Sequence, residues 1–314
     1  MNEPLVSIVI PTLNSEKTIK FTLESLRILD YKNFEVIVVD GYSTDNTLDI
    51  VKQYVEKYGI RIVLEKRRGR GVAYNRGVME SRGKYVAFLD SDAMIATSTW
   101  IKNAVRIMEN DNRVGVVFTK VFSPPDSKFI QKTIDTYLCK GFTTANGAIY
   151  RKDAVLKVGG FNEEMNYMQE DELLHKLMKA GYKYEVNFED KIYHYHRDSI
   201  RSYVKQNMEA ALGAKLFHRI TGQNWIIKDA IARLAIFFTS ILLAIFFILY
   251  NIKLFLIFFT ISYLALLFKV NFETCKQYKW SKYTFLSPFL IYISILGYSI
   301  GFLTQKDKVK RDNG

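Results

Sequence analysis

Apolar and polar residues follow two different patterns along this chain, with a change near residue 225. In the first 120 residues, short apolar runs rich in β-branched residues alternate with segments that have the period of an amphipathic helix. The apolar runs predict buried strands at Val6–Ile10, Glu35–Val39, Ile60–Leu64, Tyr85–Leu89 and Val114–Phe118. The segments between them predict helices near Lys17–Leu29, Asp45–Lys57, Val72–Ser81 and Thr99–Asn110. This alternation predicts an α/β fold with a mostly parallel sheet.

Three uncharged or nearly uncharged runs dominate the rest of the chain: Ala230–Tyr250, Leu254–Phe268 and Tyr283–Thr304. A helix needs about 20 apolar residues to cross a bilayer. The first and third runs reach that length, and the middle run reaches it only with its flanks. Together they predict an α-helical membrane region after the α/β domain.

A connector with one apolar helical stripe precedes the membrane region. The stripe begins at Ile200, and four cations lie mostly off it: Arg201, Lys205, Lys215 and Arg219. Packing in a core and lying at a membrane interface both explain such a stripe. The predicted divisions are an α/β domain at 1–198, the connector at 199–228, the membrane region at 229–305 and a basic tail at 306–314.

The charge balance agrees with a membrane protein. The 314 residues include 44 Lys and Arg against 32 Asp and Glu, a net charge of +12. Several cations flank the apolar runs: Lys269, Lys276, Lys279, Lys282, Lys306, Lys308, Lys310 and Arg311. That placement favours lipid head groups as the partner and disfavours nucleic acid.

The start of the chain and its cysteines bear on the compartment. The opening MNEPLVSIVIP lacks the basic region and cleavage site of a signal peptide, so we expect the α/β domain on the cytoplasmic side of a multi-pass cell-membrane protein. Three crossings would put the basic tail outside, against the positive-inside tendency. Either the third run is re-entrant or the middle run does not fully cross.

Cys139 and Cys275 lie in segments of different character, so no disulfide is expected.

Polar residues follow each of the first four predicted strands: PTLNSE, DGYSTDNT, EKRRGRG and DSDA. Parallel sheets bind ligands beyond the carboxyl ends of their strands. This crevice carries both signs of charge. Lys66, Arg67, Arg68 and Arg70 can meet phosphates, whereas Asp90 and Asp92 can do so only through a cation. A nucleoside diphosphate with a divalent metal satisfies both, although a simple Asp turn also explains Asp90 and Asp92.

Six motifs then resemble one family in order and spacing: VSIVIPTLNSEKTI, EVIVVDGYSTDNT, GVAYNRGV, YVAFLDSDA, GAIYRKDAVLKVGGFNEEM and QEDELLHKLMKAGYK. Over roughly residues 5 to 210 the chain resembles the family-2 inverting glycosyltransferases with a GT-A fold. The resemblance implies a nucleotide-sugar-binding domain. It does not select one donor sugar.

The resemblance implies a donor site and a metal site. The nucleotide-binding residues it implies are Pro11, Thr12, Asn14, Glu16, Asp40, Arg70, Asn75 and Asp90. It further implies that Asp92 binds Mn²⁺ or Mg²⁺, with Asp90 contacting the metal or the ribose. His196 is preferred over His194 as a further metal ligand. The alternative for PTLNSEKT is a helix cap by Asn14 or Ser15.

The resemblance also implies the catalytic and acceptor residues. Asp171 is the expected general base and Glu170 the next candidate, although both also suit a helix N-terminus. Asn146 and Gly147 are expected on the acceptor side. The Gln-x-x-Arg-Trp signature of processive relatives is replaced by KQNMEAALG, so polymerisation is not expected.

These features together predict an inverting glycosyltransferase. It would use a UDP- or GDP-linked sugar as donor and a membrane lipid or lipid-linked glycan as acceptor. A hydroxyl acceptor must lose a proton to a base such as Asp171, whereas a polyprenyl phosphate is already ionised and needs no base. The expected base therefore favours a sugar hydroxyl on a lipid-linked glycan as the acceptor. The alternatives are a polyprenyl-phosphate sugar synthase and, in a different class, a non-catalytic nucleotide-sugar-binding membrane scaffold.

Overall fold

The computed structural model of the chain describes residues 3–139 and 144–305. These divide into two compact units. The first comprises Met1–Pro125 and Phe142–Tyr195, and the second comprises Asp126–Gly141 and His196–Gly314. The short helix α6 (Phe129–Leu138) therefore belongs with the C-terminal helices, which the predicted continuous domain of residues 1–198 did not anticipate.

The first unit is built on one eight-stranded sheet with the order β3-β2-β1-β4-β7-β6-β8-β5. Its strands are β1 (Val6–Thr12), β2 (Phe34–Asp40), β3 (Arg61–Leu64), β4 (Tyr85–Phe88), β5 (Ala93–Ile95), β6 (Val114–Phe122), β7 (Ile149–Arg151) and β8 (Lys183–His194). Strands β3, β2, β1 and β4 are mutually parallel, as predicted. Beyond β4 the sheet is mixed, because β7 runs antiparallel to both β4 and β6 and β5 runs antiparallel to β8.

Helices cover both faces of this sheet. They are α1 (Ile19–Ser25), α2 (Thr47–Lys52), α3 (Val55–Tyr58), α4 (Arg70–Glu80), α5 (Trp100–Asn110), α7 (Lys152–Lys157) and α8 (Gln169–Lys179). Alternate residues of a strand point to opposite faces, so Ile8 and Ile10 pack in one apolar cluster and Val9 in the other. Burial on both faces explains why these strands read as continuous apolar runs. Each of the five predicted strands is present, and the helix predicted at Asp45–Lys57 is divided into α2 and α3.

The second unit is helical. After α6 it contains α9 (Ile200–Thr221), α10 (Asn224–Tyr250), α11 (Ile252–Glu273), a short 3₁₀ turn at Lys276–Tyr278, and α12 (Lys282–Thr304). Three of these, α10, α11 and α12, are long and apolar enough to cross a membrane. The predicted middle run, Leu254–Phe268, lies within α11, which reaches 22 residues by including the flanks of the run.

Helix α9 packs against α12, so its apolar stripe serves as a packing face within this unit. Two glycines of α12 permit the close approach. A side chain at Gly297 would meet the backbone oxygen of Val204, and one at Gly301 would meet that of Met208. Small residues spaced four apart are typical of tightly packed membrane helices.

The sulfur atoms of Cys139 and Cys275 are paired as a disulfide. The expectation of two unpaired cysteines is therefore wrong. It rested on their different sequence surroundings, whereas α6 belongs to the same unit as the segment between α11 and α12.

Candidate active site

The carboxyl ends of β1, β2 and β3 and the segment after β4 open onto one cleft of about 760 Å³. Ligand sites in proteins commonly have volumes of about 300–1,000 Å³. The side chains predicted for donor or metal binding that line the cleft are Pro11, Thr12, Asn14, Glu16, Arg70, Asp90 and Asp92. Other lining residues include Asp45, Glu65, Arg68, Tyr74 and Asn166. The parallel strands thus bring together segments that lie far apart in sequence.

Hydrogen bonds join the loop after β1 to the loop after β2. The side-chain oxygen of Asn14 accepts from the Thr44 backbone N–H at 2.8 Å, and Glu16 Oε2 accepts from the Asn46 backbone N–H at 3.1 Å. The helix-cap alternative is not found, since α1 begins at Ile19 without a side-chain cap. Asn14 and Glu16 therefore fix the shape of the cleft wall, in addition to any contact with a nucleoside.

Asp40 ends β2 behind this wall. Its side chain is fully buried, and its carboxylate accepts hydrogen bonds from the backbone N–H of Ser43 at 2.8 Å and from the Ser43 hydroxyl at 2.5 Å. In the structure its carboxylate therefore holds the turn that carries the cleft wall. A contact between Asp40 and the base of the donor stays a prediction.

Asp90, Asp92 and His194 converge at the end of β4. One ligand atom from each lies within 4.8 Å of the others, and His194 Nε2 is 3.2 Å from Asp92 Oδ1. The Tyr74 hydroxyl donates to Asp90 Oδ1 at 3.2 Å, and the backbone N–H of Asp90 donates to the Asn146 side-chain oxygen at 3.1 Å. A turn alone does not explain Asp90 and Asp92, because β8 places His194 beside them.

The predicted further metal ligand was His196, but the structure places His194 beside Asp90 and Asp92 instead. Strand β8 pairs with β5 so that His194 lies opposite Ala93, the residue after Asp92. His196 lies beyond the end of β8 in the second unit, where its Nε2 is 3.1 Å from Asp135 Oδ1 of α6. The strand-like sequence pattern does not distinguish the two histidines, whereas the pairing of β8 with β5 does.

Burial and neighbouring charges act in opposite directions on the pKa values of this cluster. Withdrawal from water raises the pKa of Asp90, and the neighbouring Asp92 raises it further, against the opposing effects of Arg70 and His194. Burial alone would raise the pKa of Asp92 and lower that of His194. Their mutual contact outweighs burial, so the pKa of Asp92 is lowered and that of His194 is raised. Two carboxylates and an imidazole at this spacing are ligands that suit a divalent cation.

The basic segment after β3 has a divided role. Arg67 forms ion pairs with Glu65 at 3.2 Å and with Glu163 at 2.8 Å, so its charge is largely committed within the protein. Arg68 and Arg70 line the cleft. Arg67 lines the cleft as well, but its charge is committed to these ion pairs. The expectation that all of these cations meet phosphates is therefore narrowed to Arg68 and Arg70.

Asn75 does not line the cleft, contrary to its predicted role. Its amide bonds to both backbone groups of Phe161: the oxygen accepts from the N–H at 2.8 Å, and the nitrogen donates to the carbonyl at 2.9 Å. The nitrogen also donates to Glu163 at 3.1 Å. Asn75 therefore positions the chain before α8, and both ends of its amide are occupied.

The two residues expected on the acceptor side are buried. Asn146 is 3% exposed and holds the backbone of Asp90. Gly147 has φ of 81°, and a Cβ there would lie 2.7 Å from Ile192. Its carbonyl accepts from the indole N–H of Trp100 at 2.9 Å. The Asn146 contact supports the segment that follows β4, and neither residue is exposed as an acceptor surface would require.

Glu170 and Asp171 lie in the first turn of α8. Glu170 is 8% exposed, and its Oε1 accepts from the Ala145 backbone N–H at 3.4 Å. Burial raises the pKa of Glu170 to about 7, and the Asp171 charge adds to this against the opposing charge of Arg70. Asp171 is half-buried. The pair thus combines an enclosed carboxyl that titrates near neutrality with a more open one.

Replacing Glu170 with glutamine is expected to flatten the pH dependence of folding stability. The folded protein holds this proton more tightly than the unfolded chain, so the wild-type stability present below pH 4.5 is lost as the pH rises through about 7. A change from 4.5 to about 7 corresponds to about 3 kcal/mol at full ionisation. Denaturant titrations over this pH range, followed by the fluorescence of buried Trp100, measure the difference.

The matched control for this measurement is Glu164→Gln, because Glu164 is an exposed carboxylate of the same unit. The control should keep the wild-type dependence of unfolding free energy on pH. Parallel curves for Glu170→Gln and wild type would contradict a raised pKa at Glu170.

Residues 7–162 match the domain described as Glycosyl transferase family 2. Among similar proteins is the UDP-Glc:alpha-D-GlcNAc-diphosphoundecaprenol beta-1,3-glucosyltransferase WfaP of Escherichia coli. It is 30% identical over 238 residues, covering 69% of this chain and 90% of WfaP. Another is the dolichyl N-acetyl-alpha-D-glucosaminyl phosphate 3-beta-D-2,3-diacetamido-2,3-dideoxy-beta-D-glucuronosyltransferase of Methanococcus voltae. It is 26% identical over 231 residues, covering 65% of this chain and 70% of that protein.

Among solved structures, the mannosyltransferase PcManGT of Pyrobaculum calidifontis, in complex with GDP-Man and Mn²⁺, superposes with a TM-score of 0.61. The match covers 98% of this chain and 89% of PcManGT at 19% identity. At that identity the likeness concerns the fold. It confirms the predicted GT-A-type α/β domain followed by a helical region.

Proposed function

The chain belongs to glycosyl transferase family 2, and from that premise we propose that it transfers a sugar from a nucleoside-diphosphate sugar to an acceptor carried by a membrane lipid. The observation that carries the donor half of this proposal is the convergence of Asp90, Asp92 and His194 in a cleft that Arg68 and Arg70 also line. Carboxylates beside arginines suit a diphosphate only when a cation lies between them.

In this proposal Asp90, Asp92 and His194 hold a divalent cation, Mn²⁺ or Mg²⁺. When bound, such a cation neutralises charge that develops on the departing nucleoside diphosphate. Arg68 and Arg70 add positive charge on the facing side of the cleft. The donor is a UDP- or GDP-linked sugar, held through the loops after β1 and β2.

Asp171 is the proposed general base. It would take the proton of an acceptor hydroxyl as that oxygen bonds to the anomeric carbon of the donor. The bond from that carbon to the diphosphate oxygen breaks on the opposite face, so the configuration inverts. Glu170 is the proposed positioning neighbour, because its burial and its contact with the Ala145 N–H hold it inside the first turn of α8.

A lipid-linked acceptor is supported by two independent features. Helices α10, α11 and α12 are apolar enough to place the protein in a membrane. The two relatives described above are named for acceptors carried on a polyprenyl diphosphate and a dolichyl phosphate. We propose a sugar hydroxyl of such a lipid as the nucleophile and the cytoplasmic side of the cell membrane as the location.

The test is a donor and acceptor screen on the full-length protein in lipid vesicles. UDP- and GDP-linked sugars are offered with Mn²⁺, together with a polyprenyl diphosphate sugar, a bare polyprenyl phosphate or no acceptor. Release of nucleoside diphosphate that requires the lipid-linked sugar is expected. Release that requires only the bare phosphate would replace the proposed acceptor, and donor binding without turnover with any acceptor would favour the scaffold alternative.

A further inference from the structure

The three long apolar helices have different surroundings. The most apolar stretch of α10 has none of its residues buried, whereas that of α12 has 39% of its residues buried. Neighbouring residues of a helix point about 100° apart, yet adjacent large apolar pairs of α10 such as Ile241–Leu242 and Ile245–Phe246 are exposed together. Helix α10 is therefore apolar around its circumference, as a helix surrounded by lipid is. Exposed apolar residues are equally dense on α11.

Helix α12 is two-sided. Its exposed large apolar side chains recur at the helical period and form one stripe: Phe285, Phe289, Tyr292, Leu296 and Leu303. The buried residues of the opposite face are Ser287, Leu290, Gly297 and Gly301. This face packs on α9. On the exposed side, Phe289, Tyr292 and Leu296 line an apolar groove together with residues of α10 such as Ile236 and Ser240.

Helices α9 and α12 run parallel along most of their length. Ser294 donates to the Asn207 side-chain oxygen at 2.6 Å, and further along Gly301 packs on Met208. Near the end of both helices, Lys215 Nζ donates to the carbonyl of Gln305 at 3.0 Å. Because residue numbers rise together on the two helices, α12 can cross a bilayer only if α9 crosses beside it.

The sequence of α9 is unsuited to a crossing. It carries five charged residues: Arg201, Lys205, Glu209, Lys215 and Arg219. Each charged side chain near the centre of a spanning helix costs about 2.5–3.5 kcal/mol on insertion scales. The Lys205 side chain is 77% exposed and does not face a neighbouring helix. Helix α9 therefore belongs at the membrane surface, and α12 must lie there with it.

The other two helices form a hairpin with Asn251 as the single connecting residue. The Asn251 side chain accepts from the Leu254 backbone N–H at 3.1 Å. The tilted rings of Phe247 and Phe258 pack near the tip with centroids 5.9 Å apart. Helix α10 has 27 residues and α11 has 22. At about 1.5 Å per residue, both exceed the roughly 30 Å of a hydrocarbon core.

The two arms of this hairpin meet α12 at opposite ends. On α10, the Arg233 guanidinium lies over the Tyr298 ring at 4.9 Å, near the end of α12. On α11, the Tyr263 hydroxyl donates to the carbonyl of Phe285, near the start of α12. Tyr263 lies near the middle of α11, but Trp280, just before α12, packs on Phe268 in the last third of α11 with ring centroids 5.5 Å apart. Helix α12 therefore passes from the last part of α11 to the first half of α10. A helix that joins these two parts, and is parallel to α9, lies along the membrane surface.

We propose that α9 and α12 form a platform in the plane of the membrane interface and that only α10 and α11 cross the bilayer. In this arrangement the exposed stripe of α12 contacts the boundary between the lipid head groups and the acyl chains. Flanking cations such as Lys276, Lys279 and Lys282 complement anionic head groups. Two crossings return the chain to its starting side, so the basic C-terminal sequence obeys the positive-inside tendency. The inference concerns membrane topology and does not depend on the reaction.

The test places single cysteines at three exposed positions of the full-length protein: Lys253→Cys beside the hairpin tip, Lys279→Cys before α12 and Thr304→Cys at its end. A membrane-impermeant maleimide is applied to sealed vesicles of each orientation, with wild type as background for Cys139 and Cys275. Lys279→Cys and Thr304→Cys should label from one face and Lys253→Cys from the other. Labelling of Thr304→Cys from the Lys253→Cys face would mean that α12 crosses, and labelling of all three from one face would mean that the hairpin does not.

The depth of α12 in the bilayer provides a second test, at exposed positions where a substitution should not disturb folding. Spin labels at Phe289→Cys and Leu303→Cys lie on the same exposed stripe, and about 21 Å separates these positions along a helix. A helix in the interface plane gives the two labels similar depths, by their accessibility to oxygen and to a water-soluble relaxing agent. Depths that differ by most of that length would overturn the proposal.

Discussion

Replacing Asp171 with asparagine is expected to lower kcat by ~10²–10⁴-fold while donor binding is retained. Asparagine keeps the shape of the side chain and removes the oxygen that would take the acceptor proton. Asp171 is half-buried in the first turn of α8. The comparison is made with donor and Mn²⁺ saturating, so that donor affinity does not enter kcat.

Two controls make this result interpretable. Glu164→Gln removes an exposed carboxylate of the same unit and should leave kcat unchanged. Nucleoside-diphosphate binding by Asp171→Asn should equal that of wild type, which shows that the cleft is intact. Turnover close to wild type in a folded Asp171→Asn protein would remove the base assignment and favour an acceptor that is already ionised, such as a polyprenyl phosphate.

Replacing Asp92 with alanine is expected to abolish the metal-dependent part of nucleoside-diphosphate binding. The substitution removes the carboxylate that contacts His194 and lies close to Asp90, so a cation at this position loses a charged ligand. The diphosphate would then face Asp90 with less positive charge between them. Isothermal titration with UDP and GDP, with Mn²⁺ or with EDTA, separates the metal-dependent and metal-independent parts.

The matched control is Asp49→Ala, which removes an exposed carboxylate of α2 that pairs with Lys52. It should retain the full Mn²⁺ effect. Without metal, the Asp92→Ala protein should bind the nucleotide no more weakly than wild type, since the substitution also removes a negative charge that repels the diphosphate. A full Mn²⁺ effect in Asp92→Ala would return Asp90-Ser91-Asp92 to the role of an ordinary turn.

Much of the first unit could be predicted because its determinants are local. A strand covered by helices on both faces is apolar at most positions, so β1, β2 and β4 are visible in the sequence. The pair Asp90 and Asp92 follows β4 directly, and its place at the carboxyl edge follows from parallel strand order. The short strands β5 and β7 were not predicted, because three residues carry too little pattern.

The parts of the site that were missed depend on contacts between distant segments. His194 joins Asp92 only because β8 pairs with β5 in one particular register. Asn75 looks like a cleft residue in its motif, but the backbone of Phe161 occupies its amide. Arg67 similarly meets Glu163, which lies 96 residues away in the chain. No local pattern encodes such partners.

The sequence by itself determined the family, the order of strands and helices in the first half, and the presence of long apolar helices in the second, because periodicity, length and motif spacing are properties of consecutive residues. The tertiary structure alone decided which histidine accompanies Asp92, that Cys139 and Cys275 pair, and that α12 is parallel to α9. Each of these depends on which distant segments pack together. Apolar composition says that a helix is compatible with lipid, and only its packing partners determine the direction in which it lies.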